Sequence, residues 1–557
     1  MTNLTAIVEE ILRSYRAEAL CSHVELRSRE DRYSDMRLLF SSREWLDSGD
    51  GDRLVEAFQD HPAVESAQRR KSAISLRLRD EFVSDLGLRL ERGELDGMDT
   101  SDLLQDRHYM LGFVGPNTNK SLHVGHLRNI LLGEALASTF EAAGAHVLRE
   151  SPIGDIGRRV CESIAGFKRF HEGEVPNGMK PDRFVDLCYR DYLRHRDQRE
   201  QSQIDGENPG DPNNEERVLR GDYADQLMQE WWQGSRPVLQ LWQRLRAWAL
   251  AGHRETLARL GITLDRSDFE SNALCVTLGM IEEGLATGLL KRGSDQMVYF
   301  RTGRPEFETM VLLREDGFPT EYARLLSLYD QLLADLYPRY TYVEVAGIEW
   351  QPSMAVLQEL LCKLRPGPQN SAHVRVFHGM LLDDDQKISS SSGEPLLIDD
   401  FLDELEANPR ILALEDLSGG EIGKGVLADL VARSFFLGAP AIKPLGFSWG
   451  RILDENQNPG WTLARAWCRA RRGGGVQGGP SSSPPQPAYR LAVVQSQSYC
   501  RSLLQATSQL EVTGLMRFVR SFSETYLAAS LSPELDRAAR AILKKAFRSL
   551  GFLACRD

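Results

Sequence analysis

One stretch of the sequence constrains the fold more than any other: an apolar segment of strand length that runs into a loop rich in asparagine, glycine and histidine. Residues 109–114 form the apolar segment, and residues 115–129 read GPNTNKSLHVGHLRN. Apolar residues then recur at helical spacing up to Gly144, a natural residue to follow a helix end, and a second short strand is predicted at 146–148. A strand, a helix and a strand in this order form a βαβ unit, which predicts a parallel sheet.

The loop places two histidines, His123 and His126, at the N-terminus of the predicted helix. Free backbone N–H groups and the positive end of the helix dipole favour a phosphate at such a position. Gly125 lies between the histidines and lets a nucleotide approach the backbone closely. Taken alone, a His-x-Gly-His sequence is more often an ordinary loop with two histidines, so its interpretation depends on the residues around it.

The fifteen residues together resemble the first signature, of HIGH type, of the class I aminoacyl-tRNA synthetases, and specifically of the arginyl-tRNA synthetase family. That family begins the motif with a Ser-Pro-Asn-like sequence, carries a lysine three residues before the first histidine and ends with HVGHLR. This chain has Gly115 in place of the serine and Lys120 at the lysine position. The resemblance implies an α/β, Rossmann-like nucleotide-binding catalytic domain between an N-terminal α+β appendage and a C-terminal all-α anticodon-binding domain.

The chain of 557 residues is too long for one hydrophobic core, so several domains are expected. Residues 1–105, with an alternating strand at 71–78 and a helix at 80–90, resemble the family's N-terminal additional domain, which contacts the tRNA elbow. Any other small α+β domain fits that sequence too. By the same resemblance, residues 106–400 form the catalytic domain with a helical insertion, and 401–557 form the anticodon-binding domain. The Gly/Ser/Pro-rich stretch 472–487 is predicted to be a flexible loop.

Composition and charge set weaker limits. No apolar run approaches the length of a membrane span, the acidic N-terminal segment is unlike a signal peptide, and the eight cysteines include no Cys-x-x-Cys pair. We therefore expect a cytoplasmic protein with reduced thiols, no membrane partner and no metal bound by the protein itself. The net charge of −13 argues mildly against nucleic acid as a partner, although a local basic face is enough for binding.

The resemblance extends to a second signature, a mobile loop of Lys-Met-Ser-Lys-Ser type that clamps the pyrophosphate of ATP. Residues 387–393 read KISSSSG at the matching place, so the second lysine is replaced by Ser390. Many arginyl members also lack that lysine, and Lys120 can supply its charge. The implied catalytic residues are Lys120, His123, His126 and Lys387, with Mg²⁺ carried on the ATP. The residues implied to bind ATP are Pro116, Asn117, His123, Gly125, His126, Gly347, Glu349, Lys387 and Ser389.

The amino-acid pocket departs from the family. A guanidinium is best bound by a planar carboxylate, and arginyl enzymes carry such an acid one helical turn after a tyrosine. If that tyrosine is Tyr322, the acid position holds Leu326, and Glu321 or Asp330 can replace the acid only with a change of geometry. We therefore expect weak activation of arginine, and we expect Leu326→Asp to raise it. The residues predicted to bind the amino acid are Asn117, Asp155, Tyr322 and Gln351.

Two basic segments near the C-terminus are candidates for tRNA contacts. Residues 461–472 resemble the Tyr-x-x-Ala-Arg helix of the family's anticodon-binding domain. The last helix is predicted to begin with Ser532 as N-cap and Pro533 as first residue, and its basic residues lie on a different face from its apolar ones. Such a row is as often a solvated surface as a phosphate-contacting face. The predicted tRNA-binding residues are Arg465, Arg537, Arg540, Lys544 and Arg548.

The leading hypothesis is a monomeric arginine–tRNA ligase that uses ATP to activate arginine as an adenylate and transfers it to tRNA. The first alternative is a paralogue, still an enzyme, that charges tRNA with a different amino acid or serves a biosynthetic pathway. Leu326 favours this alternative and the one that follows, and Trp350 and Ser353 stand in place of a family glutamine and histidine. The second alternative is a tRNA-binding protein without catalysis. The histidines and lysines of the two signatures favour an enzyme.

Overall fold

The fold is described from a computed structural model, which covers residues 4–15, 21–26, 34–92, 94, 98–205, 223–383, 386–387, 395–472, 487–529 and 533–555. Three expectations from the sequence fall outside these ranges. They are the flexible loop, of which 473–486 is not described, the ATP-binding residue Ser389, and the helix cap Ser532. For Lys387 the backbone alone is described.

The N-terminal unit is a four-stranded antiparallel sheet with helices packed on it, in the strand order β1-β2-β4-β3. The predicted strand and helix at 71–90 are confirmed, although β4 is buried on both faces because it is an inner strand. The elements in chain order are α1 (Leu4–Ser14), β1 (Cys21–Leu26), β2 (Met36–Phe40), α2 (Arg43–Leu46), α3 (Gly49–Asp60), β3 (Val64–Arg70), β4 (Ala73–Leu78) and α4 (Asp80–Glu91).

The central unit alternates strands and helices, as a parallel sheet requires. Its elements are β5 (His108–Gly112), α5 (Val124–Ala142), β6 (His146–Ile153), α6 (Arg158–Phe170), α7 (Pro181–Asp205), α8 (Tyr223–Trp232), α9 (Arg236–Arg259), β7 (Arg266–Phe269), α10 (Leu274–Ala286), β8 (Lys291–Arg292), β9 (Val298–Arg301), β10 (Thr309–Leu313), α11 (Glu321–Leu336), β11 (Thr341–Gly347), α12 (Gln351–Leu364), β12 (His373–His378), β13 (Leu381–Asp383) and β14 (Gln386–Lys387).

Five of these strands form a parallel sheet in the order β12-β11-β5-β6-β7, so the predicted βαβ unit of β5, α5 and β6 is confirmed. The chain runs outward from β5 to β7 on one side and then returns to add β11 and β12 on the other. The direction of winding therefore reverses between β5 and β11. Ligands of open α/β sheets bind at such a point, beyond the carboxyl ends of the strands.

Helices α6 to α9 form the insertion between β6 and β7, and a small antiparallel sheet of β8, β9 and β10 precedes α11. The helix α5 is almost entirely buried, because it packs between the parallel sheet and the C-terminal helices. Its apolar residues therefore surround the helix instead of forming one stripe, as expected for a helix in the interior of a large protein.

The C-terminal unit is a bundle of helices with one short strand. Its elements are α13 (Ile398–Glu406), α14 (Pro409–Leu417), α15 (Lys424–Leu437), β15 (Leu445–Phe447), α16 (Trp449–Leu453), α17 (Gly460–Arg472), α18 (Pro487–Ser496), α19 (Tyr499–Gln509), α20 (Thr513–Leu527) and α21 (Pro533–Arg548). The expectation of an all-helical unit needs one correction, since β15 pairs in parallel with β13. The domain boundary expected at residue 400 falls inside α13.

The two ends of the chain pack against each other through charged side chains. The guanidinium of Arg490 on α18 donates to both carboxylate oxygens of Asp35, at 2.8 and 2.5 Å, and also to Asp80 and to the carbonyl of Leu78. Nearby, the Tyr489 hydroxyl donates to Glu91 at the end of α4. Arg490 and Asp35 are both almost fully buried, so this contact joins the C-terminal helices to the N-terminal sheet through a desolvated ion pair.

Candidate functional site

The loop after β5 begins with an unusual backbone conformation. Val114 has φ of +77° and Gly115 has φ of +52°. A β-branched residue in this region is strained, and such strain is typical of functional sites. The loop then crosses the end of β6, because Gly154 donates its N–H to the carbonyl of Pro116 and accepts the N–H of Thr118. Asn117 therefore lies directly over Gly154, where a Cβ would approach its side-chain oxygen to 2.0 Å.

His123 and His126 cap the N-terminus of α5 with their rings. Nδ1 of His123 accepts the N–H of Gly125, and Nδ1 of His126 accepts the N–H of His123, each at 3.1 Å. A nitrogen that accepts a hydrogen bond carries no proton, so the neutral form of each ring has its proton on Nε2. Both histidines are thus fixed as Nε2–H donors at the helix N-terminus. Their ring centroids lie 3.9 Å apart.

Burial keeps both rings neutral. It lowers the pKa of His123 to about 4, with Lys120 adding to the effect. Burial also lowers the pKa of His126, and the neighbouring His123 and Lys120 lower it further. Neither ring therefore takes up a proton near neutral pH, and each keeps the same donor. Gly125 leaves space for this arrangement, since a Cβ there would lie 2.8 Å from the His123 ring.

The predicted lysine of the first signature lies beside the histidines. Lys120 is partly buried, and burial together with Arg159 lowers its pKa, while Asp186 opposes this shift. The carbonyl of Lys120 contacts Nε2 of His253 on α9 at 2.8 Å, which ties the loop to the helical insertion. Around the lysine, several buried polar atoms have no hydrogen-bond partner among the described residues: Oγ1 of Thr118, both side-chain atoms of Asn119 and Oγ of Ser121. Such a group of unpaired atoms favours a polar ligand at this loop.

The remaining residues predicted to bind ATP lie at the end of β11, across the point where the winding reverses. Gly347 is the last residue of β11, and the Glu349 carboxylate folds back over it, where a Cβ would come within 2.4 Å. Glu349 and Gln351 are both exposed, Gln351 as the first residue of α12. Pro116, in contrast, is buried at the start of the β5 loop. The two strand ends expected to form the nucleotide site are therefore neighbours in the sheet.

The second signature begins in a short hairpin. Lys387 is the last residue of β14, which pairs with β13. The buried side chain of Arg128 on α5 donates to the carbonyl of Gly379, just before β13, at 2.8 Å and to that of Pro440 at 3.1 Å. The arginine of the first signature thus joins α5 to the segments that precede β13 and β15.

The amino-acid side of the site centres on Asp155, which follows β6 and is fully buried. Its carboxylate accepts the N–H of Ser271 at 2.9 Å, the hydroxyl of Ser271 at 2.6 Å and the guanidinium of Arg246 at 2.7 Å. Trp242 donates to its carbonyl. Asp155 was predicted to bind the amino acid, but these four bonds give it a scaffolding position that joins β6, α9 and the end of β7.

The structure places Leu326 of α11 in the hydrophobic core. Leu326 is 2% exposed and belongs to an apolar cluster with Met280 and Leu332. Tyr322 packs against the same cluster, with its ring against that of Phe307. Both residues therefore face the interior of the cluster formed by α10, α11 and the sheet of β8, β9 and β10. Leu326 leaves no place for an arginine-binding acid there, because the position belongs to the core.

The two proposed substitute acids also differ in position. Asp330 forms an ion pair with Arg365 at 3.4 Å. Glu321, one helical turn before Arg324, is exposed and close enough to Glu270 to raise the pKa of that carboxyl. The face of α11 that meets the site thus carries Glu321 and Arg324.

The residues that the sequence reasoning missed are Glu270 and Arg324. Glu270 directly follows β7, at the same carboxyl edge as Asp155, and its position after a strand is the signal that could have identified it. Nε of Arg324 donates to Glu270 at 2.6 Å, and both side chains are nearly fully buried. The site therefore contains an internal carboxylate–guanidinium pair.

Comparison with known proteins was decisive for the central unit. Residues 96–318 match the family model described as "tRNA synthetases class I (R), catalytic domain". The central unit is therefore similar to the catalytic domain of class I tRNA synthetases. This match begins before β5 and includes three strands of the parallel sheet, β5, β6 and β7, the helical insertion and the small sheet of β8, β9 and β10.

Relatives of the chain include bacterial proteins named arginine–tRNA ligase. That of Bacteroides thetaiotaomicron is 28% identical over 412 residues, which cover 72% of this chain and 66% of that protein. That of Treponema pallidum is 31% identical over 307 residues, 55% of this chain and 49% of the relative. The matched region thus spans between about half and two thirds of the length of these relatives.

Solved structures share the fold along nearly the whole chain. Arginyl-tRNA synthetase from Thermus thermophilus superposes with a TM-score of 0.67 at 18% identity and covers 98% of both chains. The enzyme from Plasmodium falciparum superposes with a TM-score of 0.68 at 12% identity and covers 99% of this chain and 98% of its own. The N-terminal unit, the catalytic domain and the helical bundle are therefore combined as in those structures.

The basic residues of the C-terminal unit are less free than the sequence suggests. Arg537 forms an ion pair with Glu91 of α4 at 3.3 Å, and Arg465 pairs with Glu455 at 2.6 Å. Arg540 and Lys544 are partly buried and Arg548 is exposed on α21. Their contact with tRNA stays a prediction.

Among the described helices, none is both long and apolar enough to cross a membrane.

Proposed function

We propose that this chain is an arginine–tRNA ligase that activates arginine with ATP and transfers it to tRNA. The observation that carries the proposal is the pair of neutral histidines, His123 and His126, fixed as Nε2–H donors at the N-terminus of α5. The names of the bacterial relatives support arginine as the amino acid and tRNA as the acceptor.

In the first step, an oxygen of the amino-acid carboxylate attacks the α-phosphorus of ATP, and the bond to the β-phosphate oxygen breaks to release pyrophosphate. Negative charge grows on the phosphate chain, so fixed N–H donors and a nearby cation stabilise the transition state more than the ground state. The proposal assigns this task to His123, His126 and Lys120, which lie around the start of α5. Because the rings stay neutral, they donate hydrogen bonds and do not give up a proton.

Magnesium fits this site as an ion carried by ATP. The described residues contain no group of three or more His, Cys, Asp or Glu side chains placed to hold a metal ion. When bound, Mg²⁺ would neutralise charge on the phosphates. The chain's own contribution is the set of N–H donors and the unpaired polar atoms of residues 118–121.

In the second step, a hydroxyl of the terminal ribose of tRNA attacks the carbonyl of the aminoacyl adenylate, and AMP leaves. This step needs the tRNA end at the carboxyl edge of the sheet, while the body of the tRNA contacts other units of the chain. The helical bundle packs onto the catalytic domain through α5, and the N-terminal unit packs onto the bundle through α4, so both units are candidates for these contacts.

A paralogue with a different amino acid is the second candidate, and one observation favours it. The buried carboxylate of Glu270, which a substrate guanidinium could otherwise contact, is already paired with Arg324. A tRNA-binding protein without catalysis is less well supported, because the histidine donors and Lys120 have the arrangement that phosphate chemistry needs.

The test of the proposed function is pyrophosphate exchange measured with each of the twenty amino acids, with and without total tRNA. We expect exchange that depends on arginine, and we expect tRNA to be charged with arginine. Exchange with another amino acid and none with arginine would favour the paralogue. No exchange with any amino acid, in a protein that still binds tRNA, would contradict both enzymatic hypotheses.

The tRNA contact is tested by charge reversal on α21. Arg540→Glu combined with Arg548→Glu should weaken tRNA binding and reduce the dependence of log Kd on log salt by roughly one unit per lost phosphate contact. Arg537 is left intact because its ion pair with Glu91 joins two units. The control is Arg292→Glu on the exposed strand β8 of the catalytic domain. An unchanged salt dependence in the double variant would make the row an ordinary solvated surface.

A further inference from the structure

A buried arginine of the protein itself lies in the amino-acid site. Arg324, on the first turn of α11, is 7% exposed, and its partner Glu270 is 5% exposed. Besides its bond from Nε to Glu270, the guanidinium donates from Nη1 to the carbonyl of Pro319 at 2.7 Å. It also lies 6.0 Å from the ring centroid of Phe318. The two hydrogen bonds fix the guanidinium in one orientation.

The pair lies at the carboxyl edge of the parallel sheet, close to the loop that follows β5. Glu270 is next to Ser271, which donates twice to Asp155 at the end of β6. A Cβ built on Gly157, two residues further, would lie 3.4 Å from Nη2 of Arg324. The ends of β6 and β7 and the first turn of α11 therefore meet at this guanidinium. Asn117 of the ATP loop contacts the same strand end at Gly154.

The charge balance of the pair follows from its burial. Desolvation raises the pKa of Glu270 to about 7, while Arg324 acts in the opposite direction. Glu321 and Asp155, the other acids close to Glu270, contribute to this rise in its pKa. The carboxylate thus depends on a cation beside it to remain ionised at neutral pH. In this structure the cation is Arg324, and any second guanidinium would meet a carboxylate whose charge is already balanced.

We propose that Arg324 is a specificity-determining residue, a built-in guanidinium that competes with the side chain of arginine for Glu270. The inference rests on the proposed function, because it concerns the amino acid that the ligase activates. When Arg324 is paired, Glu270 offers no preference for a cationic substrate. Substrate arginine can contact Glu270 only in those molecules in which Arg324 has moved away. The apparent Kd for arginine therefore equals its intrinsic Kd divided by the fraction of such molecules.

The first experiment compares variants in arginine-dependent pyrophosphate exchange. Arg324→Ala removes the competitor and should lower the KM for arginine by about tenfold or more. This is the change expected if Arg324 has moved away from Glu270 in about 10% or less of the wild-type molecules, since Glu270 is accessible in every molecule of the variant. Arg324→Lys keeps a cation beside Glu270 and should keep the KM near that of the wild type. Arg324→Met keeps the volume without the charge and should not reach the KM of the alanine variant.

The second experiment needs no variant and so does not depend on folding. Citrulline has the shape of arginine with a neutral ureido group in place of the guanidinium. A free buried carboxylate would favour arginine over citrulline strongly, by about a hundredfold or more. With Arg324 paired to Glu270, we expect the wild-type enzyme to distinguish the two by less than about tenfold in competition for pyrophosphate exchange.

A third measurement separates failure of this inference from failure of the proposed function. Guanidinium chloride at low millimolar concentration, compared with equal sodium chloride, should raise the melting temperature of Arg324→Ala but not that of the wild type. The rise should be larger at pH 8.5 than at pH 6.5, because loss of Arg324 raises the pKa of Glu270 further and the ionised form binds the cation. This readout does not require any amino acid to be activated.

The outcomes are distinct. A lower KM in the alanine variant, a weak preference for arginine over citrulline in the wild type, and specific stabilisation by guanidinium all support the inference. Two results together would overturn the inference. The wild type would prefer arginine over citrulline by a hundredfold, and Arg324→Ala would have a KM for arginine equal to or above that of the wild type. Absence of exchange with every amino acid would refute the proposed function alone, and the melting experiment would then decide the role of Arg324.

Discussion

Replacing His126 by alanine should slow single-turnover formation of the adenylate by about a hundredfold or more, the usual cost of removing one donor that stabilises growing charge. The ring presents Nε2–H at the N-terminus of α5 because its Nδ1 accepts the N–H of His123. Loss of the ring removes both the helix cap and the donor. The measurement is rapid mixing of enzyme, ATP and arginine, with adenylate quantified before turnover.

Two further variants separate these roles of His126. An asparagine places its side-chain oxygen near the position of Nδ1 and can keep the cap, but it has no group at the position of Nε2. A glutamine places an amide group near Nε2 and can keep a donor there. We therefore expect His126→Asn to be about as slow as His126→Ala, and His126→Gln to be faster than either. An asparagine variant with the wild-type rate would show that the cap, and not the donor, is what matters.

Leu326→Asp should prevent the catalytic domain from folding normally, in contrast to the gain of arginine activation expected from the sequence. Leu326 lies in the apolar cluster beside Met280 and Leu332, and an unpaired charge in such a place costs several kcal/mol. The control is Leu326→Met, which keeps volume and polarity and should cost less than about 1.5 kcal/mol. Circular dichroism and urea unfolding of the purified proteins provide the comparison.

The opposite result for Leu326→Asp would be informative. A variant that is folded and activates arginine faster than the wild type would support the expectation from the sequence that residue 326 lies in the amino-acid pocket. It would also require the aspartate to reach the amino-acid site from a position that the structure assigns to the core. We therefore expect the soluble yield of Leu326→Asp to fall while that of Leu326→Met remains close to wild type.

The parts of the fold that follow from local sequence could be predicted. The βαβ unit around α5, the strand and helix at 71–90 and the helices near the C-terminus each carry a periodicity that survives in the structure. The histidines could be placed at a helix N-terminus because the apolar pattern that follows them begins there. Tertiary packing does change the details, as in β4, which is covered on both faces.

The parts that depend on distant contacts could not be predicted. A helix turns by about 100° for each residue, so an error of one position in α11 moves a side chain from the site to the core. Leu326 shows this error, and the partner of Arg324 lies 54 positions away in the sequence. Arg537 was predicted to face tRNA, yet its ion-pair partner Glu91 belongs to a helix made near the start of the chain. Periodicity contains no information about such pairs.

The ion pair between Asp35 and Arg490 has a consequence for synthesis of the chain on the ribosome. The two residues are 455 positions apart, and translation at about 5–20 residues per second separates their appearance by roughly 20–90 s. During that time the described residues of the N-terminal unit contact the Asp35 carboxylate through Arg77, at 3.6 Å, and the N–H of Leu78, at 2.8 Å. The sheet therefore reaches its final stability only when α18 has emerged, and the last helices complete the unit that is made first.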